Sequence, residues 1–190
     1  MRATVQDTSI TGDGNKIVQG DDNSRTTIQY GKDTKLSSLF QKLKSKFECG
    51  EVVDDICDNL KRFTGERDKI GLEQKLKDAD KEYYLYDDAV WLKQEYAKKL
   101  TRYQFFEPAQ EIYAFILGII CERFRNIIYP LFRDGASVGD INKSLSNDII
   151  KPIVDLIQEE GCDDIMGLTP TDIEGMVFYL TGNCHIRWKL

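Results

Sequence analysis

From Lys35 onward, apolar and polar positions alternate along the chain with a helical period. Leu36, Leu39, Phe40, Leu43 and Phe47 fall at i, i+3, i+4, i+7 and i+11, the spacing of one buried helix face, and Lys42, Lys44 and Lys46 take the outer side. Gly50 ends this helix, and Val52, Val53, Ile56, Cys57, Leu60 and Phe63 mark a second one closed by Gly65. A long helical segment follows Gly71 to about Phe106, with Leu72, Leu76, Ala79, Tyr83, Tyr86, Val90, Leu100 and Tyr103 as its apolar positions. Glu107-Pro108 opens the most apolar helix, because proline suits a first turn. That helix extends to about Phe132, and Pro130 is expected to kink or end it. After the Asp134-Gly135 turn, a short helix from Ser137 carries Val138, Ile141 and Leu145 on one face. Another carries Ile149, Ile150, Ile153, Val154, Leu156 and Ile157, with Pro152 near its start and Gly161 as its stop. Thr169 is a good N-cap for the last helix, with Pro170 at its first position and Asp172 in its first turn. The pattern predicts a mainly α protein, a bundle of six or seven helices over residues 34–190.

Residues 1–33 follow no helical period. Two hexads stand out, Ile10-Thr11-Gly12-Asp13-Gly14-Asn15 and Val18-Gln19-Gly20-Asp21-Asp22-Asn23. Each is a β-branched residue, a polar residue and then Gly-Asp-x-Asn, which is turn chemistry. The segment is expected to be a β arm, either a small meander or one to two rungs of a solenoid, and a frayed polar arm is the plainer reading. Two repeats are fewer than the roughly three a solenoid needs to bury a core alone. Short strands also leave open edges. Pairing with other copies through Ile10, Ile17, Val18 and Ile28 would satisfy them, so a homo-oligomer is expected.

Composition narrows the class. With 41% hydrophobic residues in 190, the chain can bury one core and carry an appendage. Its net charge is −6 and its lysines and arginines are interspersed with acids. No basic stripe results, so contact with nucleic acid is expected only through a larger complex. Five cysteines form no C-x-x-C motif, which fits a reducing cytoplasm better than a disulfide framework. The N-terminus has no apolar run, and Ile112 to Cys121 is too short to span a bilayer and is followed by Glu122 and Arg123. No membrane association is expected.

Candidate chemistry is sparse. Cys184 and His185 are sequence neighbours, and on an extended backbone such side chains point apart, which disfavours a nucleophile pair. A zinc site would need about four ligands, and only Cys162 could join them. Asp58 with Glu73-Gln74-Lys75 imitates a nuclease motif, but the triplet lies in a helical pattern, where residues i and i+2 face apart. No catalytic residue, metal or cofactor is expected. The string from Tyr96 to Phe106 is the best contact surface: Tyr96, Lys99, Arg102 and Tyr103 are residue types that anchor interfaces. At helical spacing Leu92, Tyr96, Leu100 and Tyr103 share a face, so burial in the bundle competes with that role.

The final dozen residues, Tyr179-Leu180-Thr181-Gly182-Asn183-Cys184-His185-Ile186-Arg187-Trp188-Lys189-Leu190, hold the only His and one of two Trp. Gly182 and Asn183 tolerate left-handed backbone angles, so the last helix should end there and free Ile186 and Trp188 to fold back as an anchor. His185, Arg187 and Trp188 are the candidate docking or anchoring residues of this tail. Together with Trp91 to Leu100, Ile112 to Leu117, Ile128-Tyr129-Pro130-Leu131 and Glu174 to Tyr179, the tail resembles the C-terminal domain of bacterial ABC-three-component systems. The resemblance covers the chain from about Leu72. These are defence modules of an SMC-like ABC ATPase, a small middle component and a third protein that carries this domain. The resemblance implies docking to the ATPase and middle component, with effector chemistry carried by a separate N-terminal domain in family members. The segment before the helices looks too short for such an effector, so a non-enzymatic assembly subunit is expected. The rival readings are a small metal-dependent nuclease or toxin and a DNA-contacting adaptor using the Lys35–Lys46 and Lys98–Arg102 faces.

Overall fold

The computed structural model describes residues 34–65, 71–78, 83–161 and 163–188. The chain divides into two units, Met1–Lys32 and Asp33–Leu190, and the described residues belong to the second. The proposed β arm, with Ile10, Ile17, Val18 and Ile28, lies outside the described residues.

Helix formation follows the apolar period, and the helix ends follow local chemistry. Thr34 caps α1 (Lys35–Cys49), its hydroxyl accepting from Ser37 N–H at 3.1 Å. Gly50 ends α1 at φ 66°, with Gly50 N–H donating to Phe47 O and Glu51 N–H to Lys46 O. This is the Schellman arrangement, which uses glycine because a Cβ disfavours the left-handed conformation. The residues up to Cys57 do not continue the second helix, contrary to the periodicity reading. Helix α2 is only Asp58–Thr64. The reason is Gln110, buried in the core: its Oε1 accepts from Cys57 N–H at 2.6 Å, and its Nε2 donates to Asp55 O and Gln104 O. Val53 N–H also donates to Phe105 O at 2.8 Å. These bonds satisfy an irregular backbone that would otherwise need a helix or water.

Within the long segment expected after Gly71, the described residues form helix α3 (Leu72–Asp78) and helix α4 (Tyr83–Tyr103). Helix α5 (Glu107–Arg123) passes through a π turn (Phe124–Ile128) into α6 (Tyr129–Arg133). Helix α7 (Val138–Ser144), capped by Ser137, passes through a second π turn (Leu145–Ile150) into α8 (Lys151–Glu160). Pro130 therefore does not end its helix, and the two short helices expected after Ser137 are one continuous rod. Each proline sits just beyond a wide turn, where Tyr129 N–H bonds Phe124 O and Lys151 N–H bonds Ser146 O, five residues back. Proline lacks an N–H and crowds the carbonyl four residues earlier, and the wider turn makes room for it. The carbonyl of Asp148, four before Pro152, takes Arg123 Nη1 at 2.6 Å instead. Helix α9 is Pro170–Gly182. The described residues thus form seven continuous helices, within the expected six or seven.

Helices α4 and α9 pack along much of their length and approach closely at Gly175. A Cβ on Gly175 would stand 2.4 Å from the Leu92 carbonyl oxygen and 2.9 Å from Tyr96 Cβ, so only glycine admits this approach. One core runs through the unit, built around Phe40, Tyr96, Ile112, Tyr113, Ile116, Phe124 and Met176.

Candidate functional site

The start of α9 is fixed by a capping box. Thr169 N–H donates to Asp172 Oδ2 at 2.8 Å, and Asp172 N–H donates to Thr169 Oγ1. Asp172 is nearly buried and its carboxylate also meets Lys99 Nζ at 2.7 Å. Lys99 donates as well to Gly167 O at 2.7 Å, so its ammonium locks the entry of α9 onto α4. The Asp172 side of this pair is buried while Lys99 is partly exposed, so breaking it leaves a buried carboxylate without its cation at a cost that solvent near Lys99 reduces.

The far end of α9 carries the tail. Cys184 N–H donates to Thr181 O and His185 N–H to Leu180 O at 2.9 Å, the same Schellman pattern as at α1. Here the left-handed residue is Cys184, at φ 65°, rather than Gly182 or Asn183. A Cβ on Gly182 would meet only the far end of the flexible Lys93 side chain, which can move aside. Three side chains stabilise the turn. Lys75 of α3, only 8% exposed, donates from Nζ to Thr181 O at 2.9 Å and to Gly182 O at 3.1 Å, and also touches Cys184 Sγ. A cation on the last carbonyls of a helix also opposes the negative end of its dipole. Asn183 Nδ2 donates to Phe63 O, and the His185 ring packs on the Phe63 ring at 5.5 Å. Beyond the turn the chain folds back into the core. Ile186 is 1% and Trp188 4% exposed. The indole stacks on Phe178 at 14° and 6.0 Å, meets Phe124 edge-on, and donates from Nε1 to Thr181 Oγ1 at 3.0 Å. Arg187 stays exposed, with its N–H on the Tyr129 hydroxyl.

The surface offers two features. Where α1 ends and α4 turns into α5, Phe47 packs on Tyr103 and Phe106, Val53 N–H holds Phe105 O, and Phe47, Val52 and Phe105 are each exposed; Arg102 lies 5.3 Å over the Tyr103 ring. Between α9 and the second π turn is a concavity of about 360 Å³ with Leu145, Ile150, Phe178, Trp188 and Glu174 on its walls. Burial, followed by the nearby Asp88 charge, raises the Glu174 carboxyl above the usual range.

This packed unit, from α3 through the returned tail, coincides with one family model. The model of C-terminal domain 9 of the ABC-three component (ABC-3C) systems matches residues 71–188. The chain belongs to this family. No curated protein and no solved structure matches it significantly. The match begins at the residue before α3 and ends at Trp188, so the Lys75 cap, the α4–α9 contact and the buried tail all lie inside the ABC-3C domain. Helices α1 and α2 precede the match and still add Leu36, Phe40, Leu43 and Leu60 to its core.

Within the ABC-3C domain the residues singled out from the sequence separate. Tyr96 and Tyr103 face the core. Tyr96 meets Tyr113 and Tyr179 edge-on, and burial pushes its phenol well above its ordinary range. Its hydroxyl has no hydrogen-bond partner among the described residues. Tyr103 donates to Ile165 O, and Lys99 is committed to Asp172. Arg102 and Arg187 are exposed, on different elements. Cys184 and His185 do point apart, to Lys75 and to Phe63. Glu73 is exposed and paired with Lys77, whereas Lys75 is buried on the opposite side of α3. Among the described residues, no three His, Cys, Asp or Glu side chains cluster as metal ligands, and no helix is long and apolar enough to cross a membrane. Lys44 pairs with Asp163, Lys46 with Glu51 and Glu107, and Lys98 with Glu95, which neutralises much of the basic surface. Sequence reasoning missed Gln110 and Lys75. Gln110 leaves a faint signal, a polar residue inside the most apolar helix, whereas Lys75 looks like any surface lysine.

Proposed function

We propose that this chain is a non-enzymatic assembly subunit of an ABC-three-component defence system, docking to an SMC-like ABC ATPase and its middle component. The observation that supports it is the exposed apolar side chains Phe47, Val52 and Phe105 where α1 ends and α4 turns into α5, with exposed Arg102 three residues before Phe105. Exposed aromatic and arginine side chains on a rigid helical frame are the usual anchors of a protein interface. They sit on helix ends and a stapled loop, so presenting them requires little further ordering. The tail, in contrast, is consumed by the core, so Trp188 acts on docking only through the shape of the domain. In this reading residues 1–33 gather copies of the chain, and DNA is met only through the complex. Anti-phage or anti-plasmid action belongs to the assembled system.

The test is co-purification of the full chain with the ATPase and middle component encoded beside it. Phe105→Asp combined with Arg102→Glu is expected to weaken the complex at least about tenfold while leaving the thermal melt unchanged. Undiminished binding by a folded double variant would remove these side chains as the dock. Failure of the unaltered chain to join either component would remove the docking reading itself. Light scattering on the chain lacking residues 2–33 tests the arm, since an unchanged copy number would show that it does not gather copies.

A further inference from the structure

We propose that Lys75 and Cys184 form a redox modification site, in which oxidation joins Lys75 Nζ to Cys184 Sγ through one oxygen atom and ties α3 covalently to the tail. Three observations converge on this pair. Nζ and Sγ are in contact. Both residues are only 8% exposed, so an oxidised sulfur meets the amine before it meets bulk water. Cys184 also occupies a left-handed position, φ 65°, where α1 uses Gly50. Glycine or asparagine would satisfy the same backbone bonds with less strain. The lysine alone explains the capping of Thr181 O and Gly182 O. It does not explain a thiol at a residue whose backbone disfavours a side chain, and strain held beside a reactive partner points to a use for that side chain.

The chemistry balances with hydrogen peroxide as the oxidant. A first peroxide oxidises the thiol by two electrons: its O–O bond breaks, an S–O bond forms, and one water leaves from a sulfenic acid. After the Lys75 ammonium gives one proton to solvent, a second peroxide takes two electrons from its nitrogen as an N–O bond forms to the sulfenic oxygen. The sulfenic O–H proton and one N–H proton leave with that peroxide as two waters. In all, two peroxides are consumed and three waters released, and one hydrogen remains on nitrogen. Before oxidation, α3 is held by buried Leu72 and Leu76 and by the Lys75 bonds. After it, α3 and the segment following α9 move as one piece.

The experiment treats the full chain with hydrogen peroxide, alkylates and digests it, and compares peptides with a dithiothreitol-reduced sample. The expected product is a linked pair containing Lys75 and Cys184, about 14 Da heavier than the two peptides together, because one oxygen is gained and two hydrogens are lost. Dithiothreitol should reverse it, and the oxidised chain should melt higher than the reduced one. Lys75→Arg and Cys184→Gly, which keep the charge and the turn respectively, should both lack the linked pair. Unlinked peptides, with Cys184 either unmodified or carrying two or three oxygens, would overturn the proposal. A linked pair lighter by two hydrogens would show a direct sulfur–nitrogen bond and overturn the oxygen-bridged form. The main readout comes from the unaltered chain, so it does not depend on whether either variant folds.

Discussion

Helices α1 and α9 end with the same pair of backbone hydrogen bonds and opposite surroundings. At α1, the left-handed residue is Gly50, exposed, with nothing within 4 Å of where a Cβ would be. At α9, it is Cys184, buried against Lys75. The first end is a local solution, complete within six residues and indifferent to the rest of the fold. The second relies on residues more than a hundred positions away and on an indole packed behind it. A left-handed residue with a Cβ costs roughly 1–2 kcal/mol, whereas a charged donor on a carbonyl contributes about 1.5–3 kcal/mol. The lysine therefore outweighs the strain, and tertiary structure can hold a turn that local preference would not choose.

Four substitutions separate the two ends, and their expected effects fall in order. Trp188→Ala removes the anchor behind the second turn and should destabilise by about 3–5 kcal/mol, seen as a large fall in melting temperature. A melt close to that of the unaltered chain would mean that the tail is not part of the core's stability. Lys75→Met leaves Thr181 O and Gly182 O without their donor and should cost about 1–3 kcal/mol in denaturant unfolding. If it costs nothing, the second end is as local as the first. Gly50→Ala places a Cβ in open space on a left-handed backbone, so only the conformational penalty of about 1 kcal/mol is expected. Cys184→Gly should fall within about 0.5 kcal/mol of the unaltered chain under reducing conditions, because relieved strain offsets the lost contact and the added freedom of the unfolded chain. A loss as large as that of Lys75→Met would show that the sulfur contact, and not the lysine, holds the turn.

The same contrast explains what could be read from the sequence. The capping box at Thr169, the glycine stop at Gly50 and the buried faces of α1 and α9 rest on residues within a few positions of one another, and each is legible. The left-handed site was misplaced onto Gly182 and Asn183 because glycine and asparagine are the local favourites, and the lysine that overrules them lies on α3. Residues 51–57 carry a helical period but form an irregular run with a bend at Asp54-Asp55, since Gln110 bonds Cys57 N–H and Asp55 O from another helix. Tyr96 and Tyr103 satisfied both an interface and a core pattern, and their aromatic character could not choose between the two. Burial in the structure places both rings in the core.

The wide turns of the two long rods carry a further consequence, visible as a numerical rhythm. Ile112, Ile116, Ile120, Phe124 and Ile128 are all buried at strict steps of four, and so are Ile141, Leu145, Ile149, Ile153 and Ile157. On a regular α-helix, four residues overshoot one turn by about 40°, so four such steps would swing the last side chain about 160° from the first. A π turn winds more slowly and takes back part of that drift. The phase of each rod is thus reset midway, and one apolar stripe can face a single core along its whole length. The π turn amounts to one residue inserted into an α-helix, so removing one residue between Phe124 and Ile128 would restore an ordinary helix and leave the rotation of everything after it nearly unchanged. Tyr129 would keep its face of the rod, and its hydroxyl would still accept from the Arg187 N–H, as it now does at 3.1 Å.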